Sequence, residues 1–459
     1  MKLPTIRTLV GALTIAILAA TAAAQNSVTF WSSVAVGAAV KAKSTGGMTG
    51  IFLAYANLAA FDSLNAIHPR FQAYGGIMPP ASPNASEAAA VAAAVHAVLV
   101  HYFPTQAASN PSATPPFVGL DERYSTYLAS LSESAASIDA GVAVGEQAAS
   151  ALITLRNGDG IFGVNTYVFQ KPGPGVYQPT PPFPYPGAQT PWIANMKPFT
   201  MTSADQFLPE EGPTPLDSEE WADDYNRTKL WGALTNSLRN DEQTTIGLFW
   251  TPNPGPPFTS MLTDLASTHA LNALDTARLF AMAWTGYGDA FIGCMNAKYH
   301  FNFWRPVTAI SEGDIDGNPD TIADPNWTPL ATTPNHPEYP AAHGCGTGSV
   351  SKIVASYFGT PDVALHVTAT YAVPAALGGG TITATRDFSS TRDLLREVQA
   401  ARIYGGMHFH HSIVQGTVLG EKVAAQLVKK YFQPLESENQ CDQGAAEEHE
   451  VVEKLTFNH

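Results

Sequence analysis

Alanine sets the first limit on what this chain can become. The run Ser86-Glu-Ala-Ala-Ala-Val-Ala-Ala-Ala-Val-His96 consists largely of the residue with the highest helix propensity. Charged residues make up 14% of the sequence, below the quarter usual for soluble domains, so the expected fold is apolar and helical. Apolar periodicity places helices over residues 50–67, 85–101, 121–155, 218–248, 260–290, 342–357, 391–404 and 408–431. Convincing alternating strands are few. From 171 to 215 the prolines, Pro181-Pro-Phe-Pro-Tyr-Pro186 among them, remove backbone donors and disfavour helix. That stretch predicts a long connection lying over the surface between two helical regions.

The formal charge of −15 excludes a general polyanion binder, because nucleic-acid contact needs clustered Lys and Arg. An anion site here has to be local, built from cations placed against the overall sign. Lys2 and Arg7 precede an apolar stretch over 9–20, and Ala22-Ala-Ala24 stands before Gln25, the pattern of a cleaved export signal over residues 1–24. An exported protein, secreted or periplasmic, is expected. No later segment has about 18 uninterrupted apolar residues, so no membrane span is expected in the mature chain. The acidic tail over 436–459 is expected to be solvated, which leaves residues 25–435 to fold. Cys294, Cys345 and Cys441 are too few for a disulfide scaffold, and Cys345 is expected to be a small buried residue.

Three blocks carry the chemistry: Lys298-x6-Arg305-Pro306, His336-Pro-Glu-Tyr-Pro-Ala-Ala-His343-Gly344, and Arg402-x5-His408. They supply three cations and two histidines, the groups needed to surround a tetrahedral oxyanion. On an unbroken helix Lys298 and Arg305 would share one face about 10 Å apart; Pro306 equally permits a helix end or turn at Arg305. His343 precedes a helical stretch whose free amides and dipole favour an anion, and its imidazole suits proton transfer near neutral pH. His336 lies in a Pro-rich turn, where it either reaches the same pocket or serves structure. Gly405-Gly406 allows Arg402 to end one helix and His408 to begin the next. Zinc at His408, His410 and His411 is disfavoured, since no Asp or Glu lies nearby at a familiar ligand spacing.

These blocks resemble the signature of the vanadium-dependent haloperoxidases, which share a superfamily with type 2 phosphatidic acid phosphatases. The segment Ala297-Lys-Tyr-His-Phe-Asn-Phe-Trp-Arg-Pro-Val-Thr-Ala-Ile310 is similar to the bacterial and plant branch. The resemblance implies an all-α fold, one large helical domain built around two helical bundles with few or no strands, and an oxyanion site within residues 298–408. It implies vanadate as cofactor, held by Lys298, Arg305, Arg402 and the Ala342 amide, with His408 as the vanadium ligand and His343 as the acid/base. Hydrogen peroxide, halide and a small organic molecule would be the substrates; His336, as a halide-site residue, favours bromide. The same residues would also serve an exported acid phosphatase with a phosphohistidine intermediate, or a catalytically weak oxyanion binder. Homo-oligomerisation stays open.

Ala341-Ala342 departs from the Ser-Gly that the family commonly carries before the acid/base histidine. Ala341 lacks the hydroxyl donor, a loss on the order of 1.5–3 kcal/mol toward a charged partner. Ala341→Ser is therefore expected to raise vanadate affinity by about tenfold or more in a vanadate titration. Unchanged affinity would mean that another donor already serves that oxygen.

Overall fold

The computed structural model describes residues 26–76, 80–108, 119–180 and 188–435. The expected export signal, the run Pro181–Pro186, Cys441 and the acidic tail lie outside these residues. Among the described residues the protein is helical, as expected, with thirteen α-helices and one pair of strands. The first half comprises α1 (Ser27–Lys41), α2 (Gly46–Ile67), α3 (Glu87–Ala108), α4 (Leu120–Ala129) and α5 (Ala135–Leu155). The second comprises α6 (Glu219–Gly232), α7 (Asp241–Phe249), α8 (Gly255–Thr268), α9 (Ala273–Phe301), α10 (Pro306–Ser311), α11 (Ala342–Phe358), α12 (Thr391–Tyr404) and α13 (His410–Lys430).

Local side-chain competition breaks three of the expected helices. The span 121–155 splits because the Ser134 side chain accepts from the Ser137 amide and starts α5 afresh. The span 218–248 splits where Asn236 takes a left-handed conformation and Asn240 forms a capping box with Gln243. The span 260–290 splits at Ala270, also left-handed, after which Asn272 caps α9. Helix α1 lies outside the expected spans altogether.

One apolar core joins the two halves: Ile51, Phe52 and Leu53 of α2 belong to the same buried cluster as Leu279, Phe280 and Trp284 of α9 and Val350 and Ile353 of α11. Two segments, Gly46–Ile67 and Glu87–Thr105, are long and apolar enough to cross a membrane, but the first is wholly buried in this core and most of the second is too. The proline-rich connection does not simply lie over the surface. Tyr177, Thr180, Ile193, Phe199, Thr200 and Met201 are buried. Asp289 on α9 accepts from the amides of Phe199 at 2.6 Å and Thr200 at 2.7 Å and from the Thr200 hydroxyl at 2.5 Å. Fixing this connection satisfies backbone donors that its irregular path leaves free.

The strands β1 (Leu365–Ala372) and β2 (Thr381–Phe388) form an antiparallel pair with Leu365 opposite Phe388. Leu365, Val367, Ala369 and Tyr371 face the core at the two-residue period of a half-buried strand.

Helices α11 and α13 meet backbone to backbone, and this contact positions the site. A Cβ on Gly416 would come within 2.4 Å of the Ala341 carbonyl oxygen, and one on Gly420 within 2.0 Å of the Cys345 carbonyl oxygen. Gly420→Ala is expected to push the helices apart and cost about 1–3 kcal/mol by overpacking, measured as a lower midpoint in chemical denaturation. A neutral result would mean that α13 can shift without penalty.

Candidate oxyanion site

Each chemical block reaches the same buried constellation from a different kind of local structure. Lys298 sits in the last turn of α9, which ends at left-handed Asn302. Arg305 follows in extended conformation immediately before Pro306, so the two cations do not share a helix face. His343 lies in the first turn of α11, Arg402 in the last turn of α12. His408 stands ahead of α13 rather than inside it, because extended Phe409 is the capping residue and the helix starts at His410. Gly406, left-handed, makes the reversal between α12 and His408, and its backbone passes the Gly232 carbonyl too closely to admit a Cβ.

An aromatic cluster clamps the three segments. Trp221 packs against Phe409 with ring centroids 4.7 Å apart and against Trp304 at 6.2 Å; Phe303 and Tyr339 belong to the same cluster. Trp304, Tyr339 and Phe409 are the sequence neighbours of Arg305, Glu338 and His408, so their packing fixes where those side chains emerge.

The cations are fully buried and held mainly by carbonyl groups. Lys298 Nζ donates to the carbonyls of Pro337 at 2.9 Å and Glu338 at 2.7 Å. Arg305 donates to the His336 carbonyl at 2.8 Å and the Met407 carbonyl at 3.0 Å, and its Nη1 lies 3.1 Å from His408 Nε2. Its Nη2 lies 3.0 Å from His336 Nδ1, which draws His336 into the pocket beside Arg305. Arg402 donates to the Trp250 carbonyl at 3.0 Å and to Met407 Sδ at 2.7 Å, while its Nε is buried without a partner. Among the described residues, none of the three forms an ion pair with a carboxylate.

Burial governs the proton affinities. It pushes Lys298 down to about 8, Arg305 to about 10 and Arg402 to about 9. His336, His343 and His408 are pushed well below the ordinary histidine range by burial and then by the neighbouring arginines, so all three are neutral at physiological pH. The His343 ring bonds the Trp250 carbonyl, and its Nε2 is buried with no partner. The first intrahelical bond of α11 runs from the Cys345 amide to the Ala341 carbonyl at 3.1 Å. The amides of Ala342, His343 and Gly344 therefore precede the helix ladder, and Ala341 offers no side-chain cap.

Three contributors escaped the sequence reading. Glu338, inside the second block, is fully buried; its Oε1 lies 2.8 Å from His408 Nδ1 and accepts from the Phe409 amide at 3.1 Å. Burial pushes its carboxyl up to about 7, against the pull of Lys298 and Arg305. An acid between two prolines and an aromatic gave no periodic signal. Trp250 and Met407 contribute a carbonyl and a sulfur that no motif marks. His410 is exposed and His411 bonds the Gly212 carbonyl; among the described residues no group of three His, Cys, Asp or Glu could hold a metal ion. Cys294 and Cys345 are both free and buried behind the site.

Residues 278–437 match the family of the VCPO second helical-bundle domain. The chain is 28% identical over 211 residues to the vanadium chloroperoxidase of Curvularia inaequalis, a match covering 39% of this chain and 34% of that protein; it thus spans about a third of the relative's length. Its fold is similar to that of a bacterial vanadium-dependent iodoperoxidase, with a TM-score of 0.70 and 21% identity over 90% of this chain and 97% of that one. A bacterial vanadium-dependent chloroperoxidase in its apo form gives 0.64 at 18% identity, covering 83% and 92% of the two chains.

Burial pushes the Lys298 ammonium down to about 8, whereas sulfate keeps its charge throughout. Sulfate affinity is therefore expected to fall as pH rises through about 8, and Lys298→Met should remove that step, both read by calorimetric titration. A Lys298→Met variant that keeps wild-type sulfate affinity at about pH 6–7 would exclude Lys298 from the anion site.

Proposed function

We propose, for a chain related to the vanadium haloperoxidases through its second helical bundle and its fold, that it uses hydrogen peroxide to oxidise halide at a vanadate held by Lys298, Arg305, Arg402 and His408. The observation that carries this reading is the burial of three cations with no carboxylate ion partner among the described residues. Uncompensated buried charge costs several kcal/mol, and a multiply charged oxyanion removes that cost. Arg402 Nε and His343 Nε2, both buried without partners, are a donor and a proton acceptor of the kind such a group requires.

Bound vanadate would supply an electrophilic centre whose oxygens exchange with peroxide, at constant oxidation state. The protein's own part is electrostatic and prototropic. Lys298, Arg305 and Arg402 hold charge on the oxygens, and the free amides at the start of α11 stand where a further oxygen can be bound. His408 would present Nε2 as the ligand atom. His343 is neutral, with its other ring nitrogen directed at the Trp250 carbonyl, so Nε2 is free to take the proton that peroxide gives up on binding and to return it to the departing oxygen. Enclosure by the aromatic cluster keeps bulk water from screening these charges.

The resemblance of His336 to a halide-site histidine supports bromide as the favoured halide, and the segment 1–24 supports export. Peroxide-dependent bromination that requires added vanadate is the expected result; phosphate-ester hydrolysis inhibited by vanadate would instead place the protein among the phosphatases. His408→Ala is expected to abolish vanadate binding. His343→Ala should keep vanadate bound and slow turnover by about 10²–10⁴-fold. Full activity in both variants would overturn the assignment.

A further inference from the structure

Two independent contacts define the state of the His408 ring. Nδ1 faces an acceptor, the Glu338 carboxylate oxygen at 2.8 Å, and Nε2 faces a donor, Arg305 Nη1 at 3.1 Å. A neutral imidazole satisfies both only with its proton on Nδ1. Glu338 reaches this position from the loop before α11, seventy residues away in sequence, and the Phe409 amide anchors the same oxygen. The other oxygen, Oε2, is buried with no partner, so the His408 ring is the side chain to which Oε1 is bound, beside the Phe409 amide.

We infer that Glu338 is the positioning residue of the site: it holds His408 in the Nδ1–H tautomer, so that Nε2 carries the lone pair, which accepts from Arg305 Nη1 here and bonds an oxyanion's central atom in exchange for that contact, and it strengthens Nε2 as a ligand. The inference deepens the oxyanion-site reading and rests on it for the identity of the ligand. A carboxylate on the remote nitrogen of a ligating histidine raises the basicity of the ligating one, and losing such a partner typically costs 10–100-fold in affinity. When ionised, the same carboxylate is a negative charge among cations, so toward an anion held by charge alone it is unfavourable. Glu338 therefore has opposite effects on two anions of similar shape, according to whether the anion bonds His408.

The test compares vanadate with sulfate, which accepts hydrogen bonds but forms no bond to imidazole. In Glu338→Gln, size and the acceptor for the Phe409 amide are kept while the charge is removed. Vanadate affinity, followed by vanadium NMR or calorimetry, is expected to fall about 10–100-fold, whereas sulfate affinity holds or rises. Equal losses for both anions would mean that Glu338 only maintains the fold. A gain for both would make it a simple counter-charge. Either result overturns the inference. Nitrogen-15 histidine NMR of the ligand-free wild type gives a second measurement that depends on no bound anion: His408 should carry its proton on Nδ1, and a proton on Nε2 would refute the tautomer. If wild-type protein binds neither anion while the Nδ1–H tautomer is found, the oxyanion-site reading fails and the role of Glu338 toward the histidine stands.

Discussion

Three cations buried together, none of them in an ion pair with a carboxylate among the described residues, impose the requirement around which the second half of this protein is arranged. Lys298, Arg305 and Arg402 are at most 1% exposed, and each is held mainly by backbone carbonyls rather than by acids. Carbonyl dipoles orient a buried cation but leave its charge in place. Glu338, a carboxylate within the constellation, is turned toward His408. The resulting surplus of positive charge is what a multiply charged oxyanion can satisfy, and it stands against a net charge of −15 for the whole chain.

Holding such a surplus needs a scaffold that cannot relax around it, and the sequence meets that need in two ways. Glycines on α13 bring the backbones of α11 and α13 into contact, so that the Ala341 and Cys345 carbonyls lie against Gly416 and Gly420. Aromatic rings flanking Arg305, Glu338 and His408 pack into one cluster. Close packing of this kind transmits displacement rather than absorbing it, so the positions of the charged groups are set by residues that never touch the anion.

Much of the fold was legible in advance. Alanine-rich and apolar-periodic segments gave the helical class and most helix centres, since propensity and burial agree there. Helix ends were read less well: Ser134, Asn240 and Asn272 restart helices through single side-chain bonds that a periodicity window averages away. The connection over 171–215 was legible as irregular, but its burial was not. Asp289, 88 to 90 residues away in sequence, holds it down. In the site, the residues quoted in the three blocks converge in the structure, whereas Trp250 and Met407 act through a carbonyl oxygen and a thioether sulfur that no residue pattern encodes.

The sequence by itself determined the inventory: a helical chain, three cations set against its overall charge, and histidines at spacings that resemble one family of oxyanion sites. Those are properties of composition and local order. Tertiary structure alone decided that Lys298 ends a helix while Arg305 lies extended beyond it, that His408 precedes α13, and that Glu338 bonds His408 Nδ1. The physical reason is range. Helix propensity acts over a few residues, whereas the direction of an imidazole lone pair depends on a donor and an acceptor from distant segments, meeting only once the core has closed.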